Sequence, residues 1–181
     1  ALGGKSKLEA VKTVKTLSTI KVMGMEMEAT TLEMAPNKSK AVQKIMGQEM
    51  VQVFDGEKGY MMQAGQRMDL PAPAIEEAKK KRLFEVLSYN PADFKTVEKV
   101  TEEGKELYLL AGAGKKLYFD TKTNLLVKST SDKGDMVILD YMEVDGIKFP
   151  KNLKLAMMGQ NMEMTNNQVI VNKEVSAEDF K

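Results

Sequence analysis

The sequence predicts a mainly β protein of the α+β class, with a long curved antiparallel sheet of about eleven strands that forms an incomplete barrel. Three observations lead to this prediction. Many short apolar stretches are separated by brief turn signals, only two segments have helical periodicity, and several strands are apolar on both faces. Links this short join antiparallel neighbours, because a parallel crossover needs about a dozen residues or more. A sheet with so many strands curls rather than staying flat.

Two segments are predicted to be helices that cover the concave face of the sheet. The first is Lys5–Leu17, where Leu8, Val11 and Val14 recur on one face. The second is Ala72–Ser88, which begins just after Pro71. Its apolar stripe consists of Ile75, Ala78, Leu83, Val86 and Leu87.

The remaining apolar stretches are predicted to be strands, joined by turns that contain Gly, Asn or Asp. They are Ser18–Met23, Glu26–Met34, Ser39–Met46, Glu49–Phe54, Gly59–Gln63, Lys95–Thr101, Lys105–Leu110, Lys116–Asp120, Leu125–Ser131, Asp135–Val144, Ile147–Ala156 and Asn161–Val171.

Apolar residues on both sides of a strand suggest a cavity within the curved sheet. Met136–Leu139 and Leu107–Leu110 are continuous apolar runs, whereas a sheet with one face in water alternates more regularly. Two helices are too little material to fill a wide half-barrel. We therefore expect an apolar cavity between the sheet and the helices.

The composition argues against catalysis. The 181 residues contain no Cys and no His, which excludes thiol nucleophiles, thiolate metal sites and imidazole bases. No pair of carboxylates forms an evident acid–base couple. We expect a protein that is not an enzyme, with no cofactor and no metal site.

Charge and hydropathy give little indication of nucleic acid or membrane partners. Lys and Arg number 27 against 26 Asp and Glu, and only Arg67 and Arg82 are arginines. Nucleic-acid binding is therefore not expected. No apolar run approaches the ~20 residues of a membrane-spanning helix.

The length fits a single domain over residues 1–181. Because the chain opens at Ala1 rather than at a methionine, we expect it to be a mature or excised portion of a longer polypeptide.

Methionine is the most unusual feature of the composition. Of the 15 methionines, 12 lie in residues 23–62 and 157–164. A Met-Gly-x-x-Met pattern recurs in Met23–Met27, Met46–Met50 and Met158–Met162. Each repeat is predicted to be a hairpin tip, so that methionines collect at one rim of the sheet.

Three interpretations of the methionines remain open. They could fill gaps in the core, they could form an adaptable lining for an apolar ligand, or they could bind Cu(I) through thioethers.

The order of several motifs resembles one known family. Phe54-Asp-Gly-Glu-Lys-Gly-Tyr60 is similar to an FDG element of lipoprotein-carrier domains. Leu117-Tyr-Phe-Asp120 followed by Thr123–Leu126 resembles their YYFD hairpin, and Tyr141–Pro150 resembles their hairpin with an Asp-Gly-Ile turn. The chain thus looks like a lipoprotein-sorting carrier of the Gram-negative envelope, of the kind also found at the C-terminal end of insulinase-type zinc-peptidase polypeptides.

This resemblance implies a non-catalytic envelope domain, located in the periplasm or at the outer-membrane periphery. It implies that lipid acyl chains or a lipoprotein bind in an apolar cavity. The alternative is an accessory domain of a larger envelope protein, such as a zinc peptidase, which contacts other domains of its polypeptide and has no small ligand. From the apolar strands and the second helix, we expect the cavity wall to include Met25, Met27, Met46, Met50, Leu83, Leu87, Met162 and Met164.

Overall fold

A computed structural model describes residues 1–45, 47–112, 114–157 and 159–181 of the chain. In these residues thirteen strands form one sheet, in the order β6-β5-β4-β3-β2-β1-β13-β12-β11-β10-β9-β8-β7. Every strand pair for which the residue-by-residue pairing is described is antiparallel. The predicted mainly β class and long antiparallel sheet are confirmed, with somewhat more strands than expected.

Within the described part of the chain, two short α-helices accompany the sheet: α1 is Lys5–Ala10 and α2 is Ala72–Lys80. The same part contains three 3₁₀ turns, at Glu85–Ser88, Pro91–Asp93 and Ala177–Phe180. The strands are β1 Thr13–Val22, β2 Met25–Met34, β3 Lys38–Ile45, β4 Gln48–Phe54, β5 Gly59–Gln63, β6 Gln66–Asp69, β7 Thr96–Glu102, β8 Lys105–Gly112, β9 Lys115–Asp120, β10 Leu126–Ser131, β11 Gly134–Val144, β12 Ile147–Met157 and β13 Gln160–Val171.

The first helix is much shorter than predicted. It stops at Ala10, and the residues from Thr13 onwards extend into β1, where Thr13 and Val14 are buried. The N–H of Asn172 donates to the carbonyl oxygen of Thr13 at 2.9 Å. Thr13 and Val14 are β-branched, and such residues favour a strand once a partner strand is available.

The second helix also ends early. Lys81 is extended, with φ −62° and ψ 150°, so the helix does not continue to Ser88. Four consecutive basic residues, Lys79–Arg82, span this point, where the N–H of Lys81 donates to the carbonyl oxygen of Ala78 at 3.1 Å and closes the last turn. Beyond them the chain buries Phe84, which the helical periodicity did not place in the apolar stripe.

Strand β6 is absent from the predicted strands, because its four residues are polar apart from Met68. A tight turn creates it: Ala64 and Gly65 both have positive φ, which suits a two-residue hairpin loop. The turn sets the register that pairs Gln63 with Gln66. Local turn geometry therefore outweighs the weak strand pattern.

The residues group into two compact units. One comprises Ala1–Gly4, Lys21–Met25 and Tyr89–Thr165, and is called the β7–β12 unit below. The other comprises Lys5–Ile20, Glu26–Ser88 and Asn166–Lys181, and is called the β2–β6 unit. The prediction of a single domain over 1–181 stays a prediction.

Each unit has its own buried side chains. In the β7–β12 unit the core includes Leu117, Ile138 and Ile147, and in the β2–β6 unit it includes Phe54 and Phe180. None of the helices within the described residues is long and apolar enough to cross a lipid bilayer.

Candidate functional site

The methionines that the structure describes are half-buried or exposed. Met46 and Met158 fall outside the described residues, and none of the other methionines is buried. Met23 at the first hairpin tip is 78% exposed. Core packing therefore does not account for exposed methionines such as Met23, and it stays a possible role for the half-buried ones.

The predicted hairpin tips are present. Gly24, Gly47 and Gly159 lie in the links β1–β2, β3–β4 and β12–β13, and all three have positive φ. Such φ values favour glycine, which explains its place after each methionine.

In the β7–β12 unit, one apolar row crosses the strands. Met162 pairs with Leu155, and Leu155 pairs with Met136. The pairing continues from β11 to β7, and side chains that are paired across strands lie on the same face of the sheet. The row, called the methionine row below, consists of Met162, Leu155, Met136, Ser129, Leu117, Leu110 and Val97.

Burial differs along the methionine row. Leu117 is only 1% exposed and belongs to the core, whereas Val97 at the edge is 70% exposed. Met136, Leu155 and Met162 are half-buried. Beside them, Met164 pairs with Leu153, which in turn pairs with Ile138. The unit thus has an apolar face whose thioethers and leucine remain partly open to solvent.

In the β2–β6 unit, the register places a second group of methionines on one face. Met50 lies opposite Gln43, which pairs with Ala29, and Met27 is two residues before Ala29 on the same side of β2. Met61 and Met68 form a pair on this face, between β5 and β6. Glutamines separate these methionines, so this face is more polar than the methionine row.

Glu33 adds a carboxyl group to the same face of β2 as Met27. Burial raises the pKa of Glu33, and the nearby charge of Lys81 partly opposes that shift. A carboxyl group with a raised pKa indicates poorly solvated surroundings. Lys81 directly follows α2, whose Lys79 carbonyl oxygen accepts a hydrogen bond from the Asn37 side chain at 3.3 Å.

Leu83 and Leu87, which are predicted to reach the cavity wall from the second helix, lie beyond the end of α2. Leu83 is half-buried, and Leu87 is exposed in a 3₁₀ turn. Between them, Phe84 is the residue that is buried. Helical periodicity missed it, because the segment is not an α-helix.

A cavity of about 530 Å³ lies within the β2–β6 unit. Its apolar lining includes Val53, Leu70, Ile75 and Phe180, and its polar lining includes Arg67. None of the predicted wall residues that the structure describes belongs to its lining, which consists of Val53, Asp55, Lys58, Gly59, Tyr60, Arg67, Asp69, Leu70, Ile75, Phe180 and Lys181.

Tyr60 and Arg67 shape this cavity. The Arg67 guanidinium carbon is 3.8 Å from the centre of the Tyr60 ring, and the Tyr60 hydroxyl donates to the carbonyl oxygen of Lys181 at 3.2 Å. Tyr60 is the last residue of the Phe54–Tyr60 element, whose sequence indicates only turn chemistry. Arg67 gives no sequence signal, because β6 itself is not predicted.

The predicted wall residues are thus divided between the two units. Met25, Met162 and Met164 belong to the β7–β12 unit, and Met27, Met50, Leu83 and Leu87 belong to the β2–β6 unit. Met46 lies outside the described residues. That these eight residues line one cavity stays a prediction.

Neither a protein-family model nor a curated protein matches the sequence. Solved structures do resemble the fold. A Vibrio parahaemolyticus domain named as an outer membrane lipoprotein-sorting protein domain aligns with a TM-score of 0.63 and 10% identity, over 97% of this chain and 92% of that one. A DUF1329 family protein from Desulfovibrio piger aligns with a TM-score of 0.59 and 9% identity, again over 97% and 92%.

Similarity at such low identity concerns the fold alone. It covers nearly the whole of both chains in each comparison, and therefore includes the strands of both compact units. The resemblance seen in the Phe54–Tyr60 and Tyr141–Pro150 motifs is matched by this likeness in three dimensions. The chain has the fold of outer membrane lipoprotein-sorting domains.

Proposed function

We propose that this chain is a non-catalytic domain of the bacterial envelope that binds the acyl chains of a lipid or of a lipidated protein. The observation that carries the proposal is the half-buried apolar surface of the methionine row, around Met136, Leu155 and Met162. Of the residues predicted from the sequence, Met162 and Met164 lie on this face, and they would contribute to the binding surface.

The chemistry of the row suits acyl chains. Thioethers are unbranched and polarisable, so they adapt to ligands of different shape. Burial of each acyl methylene contributes about 0.8 kcal/mol, and the incomplete burial of Met136 and Met162 leaves apolar area for this contact. Since micromolar binding corresponds to about −8 kcal/mol and association itself costs about 4 kcal/mol or more, roughly fifteen buried methylenes would be needed.

The structural neighbours support the cellular setting. The Vibrio parahaemolyticus domain is named for outer membrane lipoprotein sorting. By analogy, we place this chain in the periplasm or at the outer-membrane periphery of a Gram-negative bacterium, with a lipoprotein or lipid as its partner.

Native mass spectrometry of the gently purified protein, followed by titration with a fluorescent fatty acid, tests the proposal. We expect bound lipid or saturable uptake. A Met136→Gln and Met162→Gln double variant should bind about tenfold more weakly, because two apolar contacts become polar. Met23→Gln is the matched control, since Met23 is 78% exposed at a hairpin tip.

Two results would count against the proposal. A wild-type protein that takes up neither lipid nor fatty acid would instead suit an accessory domain without a small ligand. Equal affinities of the control and the double variant for the fatty acid would show that the methionine row is not part of the binding site. Circular dichroism of each variant shows whether a loss of binding reflects unfolding.

A further inference from the structure

Strand β6 lies at one edge of the sheet and carries two opposite charges on either side of a methionine. It ends the strand order of the sheet, and all four of its residues, Gln66, Arg67, Met68 and Asp69, are exposed. The exposed fraction of Met68 is 47%. An exposed edge offers unpaired N–H and carbonyl groups to another strand, and short length and charged side chains usually discourage such pairing.

The backbone groups of β6 that face outward can be identified. The N–H of Leu70 donates to the carbonyl oxygen of Gly59 at 2.8 Å, so Leu70 directs its backbone groups towards β5. The direction of the backbone N–H and carbonyl groups alternates from residue to residue along an antiparallel strand. The backbone groups of Met68 and Gln66 therefore also point towards β5. Arg67 and Asp69 therefore direct their N–H and carbonyl groups away from the sheet.

These outward groups limit how a second copy of β6 could pair with the first. In an antiparallel pair of β6 strands, residues whose backbone N–H and carbonyl groups point outward must lie opposite each other, because these groups form the hydrogen bonds between the two strands. If Arg67 lay opposite Arg67 of the second copy, or Asp69 opposite Asp69, like charges would be adjacent and the pair would be destabilised. The remaining register sets Arg67 opposite Asp69 in both directions, so its charges are complementary at two positions.

The two charges of β6 already attract each other within one chain. Arg67 Nε lies 3.5 Å from Asp69 Oδ1, and the two side chains are 62% and 82% exposed. Both side chains therefore project from the same face of the strand and stay accessible to a second copy. In the complementary register the two pairs would combine into one network of four alternating charges.

The same register brings apolar groups together on the other face. Met68 would lie opposite Met68 of the second copy, at the two-fold axis. Met61 already pairs with Met68 inside each chain, so four methionines would be contiguous. Pro71 has no N–H and follows shortly after β6, which limits the new pairing to this short segment.

We propose that two copies of this chain associate weakly through their β6 edges, in the antiparallel register that sets Arg67 opposite Asp69. The interface is two-fold symmetric, as in most homodimers. It is small, so dimerisation is concentration-dependent and weakens as the ionic strength rises.

Single cysteines test the register directly, because the native chain contains none. In the proposed pair, Met68 occupies a non-hydrogen-bonded position with the two Cα atoms roughly 4.5 Å apart, within the range for a disulfide. Mild oxidation of Met68→Cys should give a covalent dimer. Met62→Cys is the matched control, since Met62 is 39% exposed but lies on β5.

Two results would overturn the proposal. One is a Met68→Cys protein that stays monomeric after oxidation at concentrations of about 0.1 mM, where a weak interface is still partly occupied. The other is equal cross-linking of both variants. Neither result depends on lipid binding, which is measured separately.

Charge reversal provides a second test by sedimentation velocity on the untagged full chain. Arg67→Glu should weaken the dimer about tenfold or more, because two pairs of like charges would face each other. The double variant Arg67→Asp with Asp69→Arg restores opposite charges at both positions and should restore dimerisation. A double variant that remains as weak as the single one contradicts the proposed register.

Discussion

The N–H of Lys148 donates to the carbonyl oxygen of Leu2 at 2.9 Å. This bond fixes the opening segment of the chain against the hairpin that contains Asp145 and Gly146, within the β7–β12 unit. Two segments that lie far apart in the sequence are therefore neighbours in the fold. The Asp145–Gly146 hairpin is one of the motifs on which the resemblance to lipoprotein carriers depends.

Gly3 is the first position where this contact can be tested. A Cβ atom at Gly3 would lie 2.5 Å from the carbonyl oxygen of Gly146, and the φ of Gly3 is +128°. Gly3→Ala should lower the free energy of unfolding by about 2 kcal/mol or more, as measured by urea denaturation. Gly4→Ala is the control, because Gly4 also has positive φ but a Cβ added there would meet no atom within 4 Å. Equal losses for both variants would show that the close contact has no energetic consequence.

Tyr141 links stability to high pH. Its hydroxyl donates to the carbonyl oxygen of Leu126 at 2.7 Å, and burial raises the pKa of Tyr141 to about 12. At neutral pH, Tyr141→Phe should cost about 1 kcal/mol through the lost hydrogen bond.

The sign of the pH effect follows from the raised pKa. The folded state keeps the Tyr141 proton up to a pH of about 12, whereas an unfolded tyrosine loses it near 10.0. The stabilisation is therefore complete below pH 10 and is lost as the pH rises towards 12. The difference in stability between wild type and Tyr141→Phe should shrink over this range in denaturant titrations. A constant difference would mean that the phenol ionises equally in both states.

Two ion pairs of the β7–β12 unit should differ in strength. Lys128 Nζ lies 2.8 Å from Glu102 Oε2, and the two side chains are 32% and 35% exposed. Lys128 also lies 4.9 Å from the centre of the Tyr118 ring. A double-mutant cycle with Lys128→Met and Glu102→Gln should give a coupling free energy of about 1 kcal/mol.

The pair Lys154–Glu163 is the comparison for this cycle. Its Nζ–Oε1 distance is 3.5 Å and its side chains are 57% and 63% exposed. We expect a coupling below about 0.5 kcal/mol in the same cycle, because water screens exposed charges. Equal coupling in the two pairs would contradict the role assigned to burial.

Much of the sheet could be predicted because strand signals are local. The turns at Asp55–Gly56 and Asp145–Gly146 mark hairpins by residue type alone, and the predicted strands on either side agree with the structure within a few residues. The helices are predicted less well. Val14 fits a three-residue repeat and a strand equally well, so periodicity could not decide between them.

The candidate site was predictable only in part. Methionines at hairpin tips could be predicted from Met-Gly spacing, and Gly24, Gly47 and Gly159 have the expected positive φ. Phe84 and Arg67 could not be identified, since their positions depend on a helix that ends early and on a strand created by a turn.

The sequence by itself determined the class of the fold, the hairpin positions and the absence of thiol and imidazole chemistry. These properties depend on residue type and on neighbours a few positions away. The tertiary structure alone decided which side chains share a face, as with Met162, Leu155 and Met136. It also decided that the described methionines are half-buried or exposed rather than fully buried. Register and burial depend on contacts between distant segments, because a shift of one residue in pairing exchanges the two faces of a strand.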